Sequence, residues 1–519
     1  MPTNLDKNFN ELCYSCRIGD SENVDRLVST GVNVNGVDEF DNSPLFLASL
    51  CGHEEVVKLL LKRGAVCDRD RYEGARCIYG ALTDSIRNTL LKYDISKAVD
   101  INQPFATHIS SLLKNSNLNN QDISFEFHDN KVFKLHRFLL ASRSKYFYQK
   151  LTTSWNSKSF IEMPEGTPSS SFETIIKFVY LVPILHEISP QEHGILKAFT
   201  KKLDIPELAE YLGKVRHVLD PSEKSALIAD YQFKFTENAR EQLHSFVEDY
   251  IIGQKYYFQN CDTITETELR KIKNSSALPD VFIMIKSDRN HGGWLYPCHR
   301  AILTRSEYFK TMFTSPFLEA STYSRTIHEV TNRQERFPII TLPTSSSELA
   351  DIILRYFYYD STEIPWKYAI NVLIVADALL TERLKTMAAI TITQSKEILE
   401  HYSIFDVLYV AWDTRVERLE HYAAEIIAKD LKHYCKDSEL RKAIIKSSQR
   451  ITVREETDTI ELVDDIRYYL LKKHDLQPGD SELIDTEDNL EFLVSPEIQH
   501  YKEDLGLIED ILNNLGLDA

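Results

Sequence analysis

Asp122-Ile-Ser-Phe-Glu-Phe127, His136-Arg-Phe-Leu-Leu140 and Ser144-Lys-Tyr-Phe147 decide the architecture, because the same three blocks return later in the chain. They reappear as Asp280-Val-Phe-Ile-Met-Ile285, His299-Arg-Ala-Ile-Leu303 and Ser306-Glu-Tyr-Phe309. Each copy opens on Asp and a short apolar strand, turns back through a hairpin, passes a His-Arg pair and enters a helix ending in an aromatic pair. The parallel continues downstream, where Ile161-Glu-Met163 matches Ile340-Thr-Leu342 and the helical apolar spacing of Phe172 to Tyr180 matches Leu349 to Phe357. The second copy is longer. Leu342 follows Phe309 by 33 residues, whereas Met163 follows Phe147 by 16, and the excess includes the polar stretch from Thr322 to Arg336, expected as a mobile loop. A duplicated module with no catalytic constellation attached points to assembly between proteins.

A smaller repetition precedes the first copy. Leu12, Ser15, Gly19, Val24 and Gly31 recur 33 residues later as Leu45, Ala48, Gly52, Val57 and Gly64, which is the period of ankyrin repeats. Pro44 suits the first turn of a helix, Ala48 lets neighbouring helices approach, and Gly52 and Gly64 stand where helices end and positive φ is needed. His53 completes the signature. The segment from Glu73 to Tyr93 continues at the same offset with the markers lost, Cys77 for Pro44 and Ser85 for Gly52, and reads as a capping repeat.

Composition narrows the classes. A formal charge of −18 repels phosphate backbones, so nucleic acid is an improbable partner, and the basic cluster Lys197, Lys201 and Lys202 is followed at once by Asp204 and Glu207. Eight cysteines in 519 residues are too sparse for a disulfide scaffold. The N-terminus lacks a signal-peptide apolar run, and no window has the roughly 18 apolar residues of a membrane helix. The expectation is a soluble intracellular protein with reduced thiols, cytoplasmic first and nuclear second, without membrane contact.

Elsewhere, Glu237 to Tyr250 reads as helical and Gly253 to Ser276 as loop-like. Ile370 to Thr391 reads as helix, and Leu408, Trp412, Leu419, Ala423, Ile426 and Ile427 as one long amphipathic helix. Residues 436–519 are acidic and mostly helical, with breaks at Pro478 and Pro496.

The strand–hairpin–His-Arg–helix signature, the Met-Pro or Leu-Pro strand end and the apolar helix ending in Tyr resemble the BTB/POZ domain. Ankyrin repeats followed by two such domains resemble the ankyrin repeat and BTB/POZ domain-containing protein family. The expected fold is mixed α/β, multidomain and helix-rich: ankyrin repeats with a degenerate cap over 1–99, a first BTB/POZ domain over 100–215, a linker or helical insertion over 216–279, a second BTB/POZ domain over 280–395, and a helical C-terminal region with an acidic tail over 396–519. The signature residues are Asp122, His136, Ser144 and Phe147 in one copy and Asp280, His299, Ser306 and Phe309 in the other.

The resemblance implies homotypic or heterotypic pairing, including a homodimer through the BTB domains. It also implies a role as substrate adaptor for a cullin-3-type ubiquitin ligase. In such adaptors a hydrophobic–x–Glu motif after the aromatic pair meets the cullin. The second copy has Phe317-Leu318-Glu319 after Met312-Phe313, whereas the first has Trp155-Asn156-Ser157 and no carboxylate. Phe317, Glu319 and Phe313 are therefore the expected cullin contacts, against the plainer reading of a core Phe317 and a solvated Glu319. The alternative function is a scaffold without cullin, its client a protein such as a translation factor. A transcription regulator ranks last, since no zinc finger or basic region is present.

Catalysis finds little support. The paired His136 and His299 would suit a metal or acid–base site, but local bonding to backbone explains them better. Cys13 and Cys16 have zinc spacing without a second ligand pair and fall on an ankyrin helix. His186-Glu187 starts like a zinc-protease helix, yet Pro190 occupies the second His position. No phosphate loop or nucleophile elbow occurs, so no enzyme activity and no cofactor are expected. The acidic tail reads as a solvated face ahead of a docking arm.

Overall fold

The computed structural model describes residues 4–29, 32–63, 65, 67, 72–92, 102–114, 120–182, 184–185, 188, 191–218, 221–288, 291–315, 337–360, 362–450, 460–476 and 496–517. They form two compact units, residues 1–363 with 375–384 and residues 364–374 with 385–519.

The first unit opens with three helix pairs: Asn4–Ile18 with Ser21–Ser29, Pro44–Leu50 with Glu54–Lys62, and Tyr72–Tyr79 with Asp84–Lys92. Ser43 caps the third helix through the Phe46 N–H and Pro44 occupies its first turn, where a missing N–H costs nothing. Leu45 and Ala48 are buried in the shared core with Cys13 and Cys16, whose thiols burial pushes up to about 11 and about 12. Both cysteines are packing residues. Gly19 and Gly52 hold φ of +80° and +82°. A Cβ on Gly19 would lie 2.5 Å from the His53 ring, which spans the repeats by bonding to the Arg17 carbonyl at 2.8 Å; Leu82 sits over Gly52 in the same way. Gly64 lies outside the described residues.

The cap departs from constant spacing. Its second helix starts at Asp84, only 30 residues after Glu54, so Thr83 takes the place of His53. With Pro and Gly gone from the expected positions, the shortening left no mark in the pattern.

Two sheets follow. In the first, β1 (Ile123–Glu126) pairs antiparallel with β2 (Val132–Leu135) and parallel with β3 (Phe160–Glu162), in the order β2-β1-β3. In the second, β5 (Val281–Lys286), β6 (Gly293–Cys298) and β7 (Ile339–Thr341) repeat that pattern, with an added edge strand β4 (Tyr256–Phe258) in the order β4-β6-β5-β7. The stretch expected as loop between Gly253 and Ser276 thus supplies β4 and a helix, Glu266–Lys273, started by a Thr265/Glu268 capping box. Leu269 and Ile272 of that helix cover Phe282, Met284 and Leu295 on the outer face of the second sheet. The polar surface of the stretch hid those contacts. The linker expected before it is mostly the 27-residue helix Pro221–Val247.

In the other unit, the long helix expected across Leu408 to Ile427 is two, Ile404–Thr414 and Glu417–Lys429, because Arg415 adopts a left-handed conformation (φ +56°) that ends the first. The helix read over Ile370 to Thr391, whose residues 375–384 belong to the first unit, is likewise divided, into Trp366–Ala378 and Glu382–Gln394. Helices Ser438–Ser448, Glu461–Lys473 and Pro496–Leu515 pack with the Ile404–Lys429 pair around Leu408, Ile427, Ile444, Ile466 and Ile511. Pro496 opens a helix instead of breaking one, as its fixed φ and absent N–H allow. Pro478 lies outside the described residues.

Replacing Gly52 by Ala should lower the stability of the ankyrin block by about 1–2 kcal/mol, because a Cβ meets Leu82 at 2.6 Å and the φ is strained for L residues. Urea unfolding read by hydrogen exchange within residues 44–62 checks it, and unchanged protection there would contradict it.

Candidate protein-interaction site

The two copies are wired alike around buried polar residues. In the first, the Asp122 carboxylate accepts the Arg137 backbone N–H at 2.8 Å, and the Arg137 guanidinium lies 3.8 Å from its second oxygen. In the second, Asp280 accepts the Arg300 N–H at 2.7 Å, with the guanidinium at 3.5 Å. Ser144 caps the helix Lys145–Thr152 through the Phe147 N–H, and Ser306 caps Glu307–Thr314 through Phe309. Each Ser hydroxyl then donates to a distant carbonyl, of Leu203 and of Leu379.

The histidines correct the expectation of local backbone bonding. His136 Nδ1 lies 2.9 Å from the Tyr180 hydroxyl and Nε2 faces Asn120 at 3.1 Å. His299 Nδ1 lies 2.7 Å from the Tyr358 hydroxyl, while Nε2 reaches the carbonyls of Ala277 and Leu278 at 2.9 and 3.1 Å. Burial pushes both imidazoles down to about 3, so both are neutral. Burial also pushes the Asp122 carboxyl up to about 7, with Arg137 opposing and Asp280 adding, and raises Asp280. These groups are structural, and among the described residues no cluster could hold a metal ion.

Both copies meet at this wiring. Phe138, the residue after Arg137, stacks on the His299 ring with centroids 4.3 Å apart and planes at 23°. Its counterpart after Arg300 is Ala301, whose carbonyl accepts from His108 at 2.9 Å. Equivalent positions thus carry a large residue in one copy and a small one in the other. His108 belongs to the helix Asn102–Lys114 that leads into the first copy, yet it bonds to the second. Reciprocally, the helix Pro221–Val247 that leads into the second copy sets Phe235 edge-on to Phe178 of the first, at 4.7 Å. Glu248, just past that helix, clamps Arg355 of the second copy at 2.7 and 2.9 Å. The pairing expected of such modules is thus made inside one chain, and the presumed linker is its brace.

The copies diverge after the aromatic pair. Arg137 gathers the carbonyls of Trp155, Asn156 and Lys158, and the Trp155 ring lies against Phe125, 5.8 Å away and edge-on. In the second copy Phe313 is only 6% exposed and stacks on Phe309, so it packs the module and does not face a partner. Tyr308 is 40% exposed, and Glu307, Lys310 and Thr311 also face outward. Phe317, Glu319 and the stretch 322–336 lie outside the described residues, as do His186, Glu187 and Pro190. Sequence reasoning missed Tyr180, Tyr358, Phe138 and His108. The match of Phe172 to Tyr180 with Leu349 to Phe357 sets Tyr180 against Phe357, whereas the histidine bonds make Tyr358, one residue further on, its equivalent, and nothing local tied either Tyr to a histidine.

The BTB/POZ domain model matches residues 113–216 and 269–396, and the ankyrin repeat model matches residues 3–71. An ankyrin repeat-containing protein of Saccharomyces cerevisiae is 54% identical over 99% of both chains. The chain belongs to the ankyrin repeat and BTB/POZ domain-containing proteins. A BTB/POZ domain-containing protein of Schizosaccharomyces pombe is 38% identical over 98% of this chain and 90% of its own length. The human inhibitor of Bruton tyrosine kinase is 22% identical over 53% of this chain and 22% of its own. Ankyrin and BTB/POZ modules are non-catalytic interaction modules, which makes this family member a protein-interaction adaptor. No helix among its described residues is long and apolar enough to cross a membrane.

Truncating Phe138 to Ala should cost about 3–5 kcal/mol, since the ring is buried and its neighbours are fixed. Chemical denaturation checks this, and a loss below 1 kcal/mol would show that the stack does not matter.

The seam also predicts a pH response. An unfolded histidine takes up a proton below pH 6.5, but His136 and His299 stay neutral in the fold down to about 3. The unfolded chain therefore binds more protons in that window, and stability falls as pH drops through it. Asp122 and Asp280 act oppositely, since burial raises both carboxyls and they keep their protons in the fold, but they are two groups against three, because burial pushes His108 down to about 3 as well. His299→Gln should flatten the acid-side slope by up to about 1.4 kcal/mol per pH unit. Urea midpoints at pH 7, 6 and 5 that change equally in both proteins would contradict it.

Proposed function

We propose that this protein is the substrate-recognition subunit of a cullin-3-type ubiquitin ligase. Its second BTB module faces the cullin scaffold, and its ankyrin repeats or acidic tail face a protein client, in the cytoplasm first and the nucleus second. The observation that carries this reading is the asymmetry after the aromatic pair. The first copy lacks a carboxylate at the cullin-facing motif, where it has Trp155-Asn156-Ser157. The second copy keeps Phe317-Leu318-Glu319, following a helix whose Tyr308 and Lys310 stand in solvent. An aromatic anchor beside a carboxylate gives a small hot spot of the usual kind.

Because the modules already pair within the chain, one chain presents one cullin-facing copy. Phe317→Ala/Glu319→Ala in the full chain should reduce cullin recovery in a pull-down at least tenfold while leaving thermal unfolding unchanged. Cullin recovery equal to that of the unaltered protein would count against the reading, and absence of cullin from both would favour a scaffold without a ligase.

A further inference from the structure

The duplication exposes a difference between the edges of the two sheets. The paired histidines align Val132 with Leu295, Phe133 with Tyr296, Lys134 with Pro297 and Leu135 with Cys298, in agreement with the strand registers. In the second module the outer edge of β6 is taken by β4, antiparallel, with Tyr256 opposite Leu295 and Phe258 opposite Gly293. In the first module, among the described residues, no strand pairs with the corresponding edge of β2. Val132 is 48% exposed there, and Lys131 and Lys134 are exposed as well.

The backbone of that edge is available for pairing. The Phe127 N–H donates to the Lys131 carbonyl at 3.0 Å, and Phe125 lies opposite Phe133 and Ile123 opposite Leu135. Alternation in an antiparallel ladder then turns the polar groups of Val132 and Lys134 away from β1, off the edge. Pairing on β6 stops at Leu295 because Pro297 has no N–H to give. Lys134 stands at the position of Pro297 and keeps its N–H, so the first module's edge offers two donors and two acceptors.

We infer that the β2 edge of the first module is a docking site for an extended peptide strand of another protein, with an acidic residue two positions before an aromatic or aliphatic one. The side chains set that chemistry. On the outer face Lys134 shares a row with Ser124 and Phe160, and Val132 shares one with Glu126 and Glu162. A strand bound antiparallel, as β4 is, places its earlier residue opposite Lys134, where a carboxylate finds an ammonium. Two residues on it lies opposite Val132, where an apolar side chain covers apolar surface and a second carboxylate would meet Glu126. A second copy of this chain is the poorer occupant, because the antiparallel register that uses both outward positions sets Val132, not a carboxylate, opposite Lys134 and leaves the two Lys134 ammonium groups diagonal neighbours on one face. Main-chain bonds supply the affinity and the alternate side chains the choice of partner. The inference does not depend on the ligase reading, since a scaffold could use the same edge.

The test uses the full chain and a fluorescent synthetic peptide, Thr-Val-Glu-Val-Tyr-Val-Thr, with a Lys-for-Glu version as control. The chain should bind the Glu peptide at least tenfold better than the Lys peptide by anisotropy. Lys134→Pro, which copies the residue already present in the folded second module, should weaken that binding at least tenfold with no change in thermal unfolding. Lys134→Glu should reverse the preference toward the Lys peptide. No binding by the unaltered chain, or equal binding by Lys134→Pro, would overturn the inference. Self-association of the chain abolished by Lys134→Pro would overturn it in favour of a second copy.

Discussion

The stack of Phe138 on His299 is the contact on which the first unit turns. It requires an uncharged imidazole, because an imidazolium at that depth would carry a desolvation cost, and the described partners of the ring are a hydroxyl and backbone carbonyls, not a carboxylate. The neutral state is held by the Tyr358 hydroxyl at one ring nitrogen and backbone carbonyls at the other. The Asp–Arg pairs beside the rings fix the backbone of the His-Arg turns, so the two modules arrive at the seam with defined shape. Removing one partner of such buried wiring is far costlier than the wiring is worth as a pair, which is why the same residues can recur in both copies while the surfaces around them drift.

Duplication within one chain changes what pairing costs. A module that pairs with a separate chain loses translational and rotational freedom on association; one tethered by 221–247 does not. The tether is not slack. It contributes Phe235 to the first module and, through Glu248, an ion pair to the second. Once pairing is satisfied internally, the copies are free to diverge. Among the described residues, one leaves the outer edge of β2 without a pairing strand, while the other closes that edge with β4 and buries its sheet face under 266–273.

Much of this was legible from residue types. Asp, His-Arg, Ser and the aromatic pair each occupy a position where the fold needs a cap, a turn or a core ring, so their order alone identified both modules. The ankyrin period was equally plain wherever Gly and Pro mark the turns, and it failed in the cap, where they do not. What stayed hidden involves partners remote in sequence. Tyr180 lies 44 residues from His136, and Tyr358 lies 59 from His299. The roles of Phe138 and of the 221–247 helix depend on the two copies meeting, which no local pattern encodes. The division at Arg415 escaped for another reason, since a left-handed Arg carries no compositional sign.

The central claim is that the BTB modules pair within one chain, and the solution mass of the full-length protein tests it most directly. Sedimentation equilibrium at micromolar concentration should return the single-chain mass of 60.1 kDa. A mass twice that, persisting on dilution, would mean that the modules pair between chains and would contradict the account.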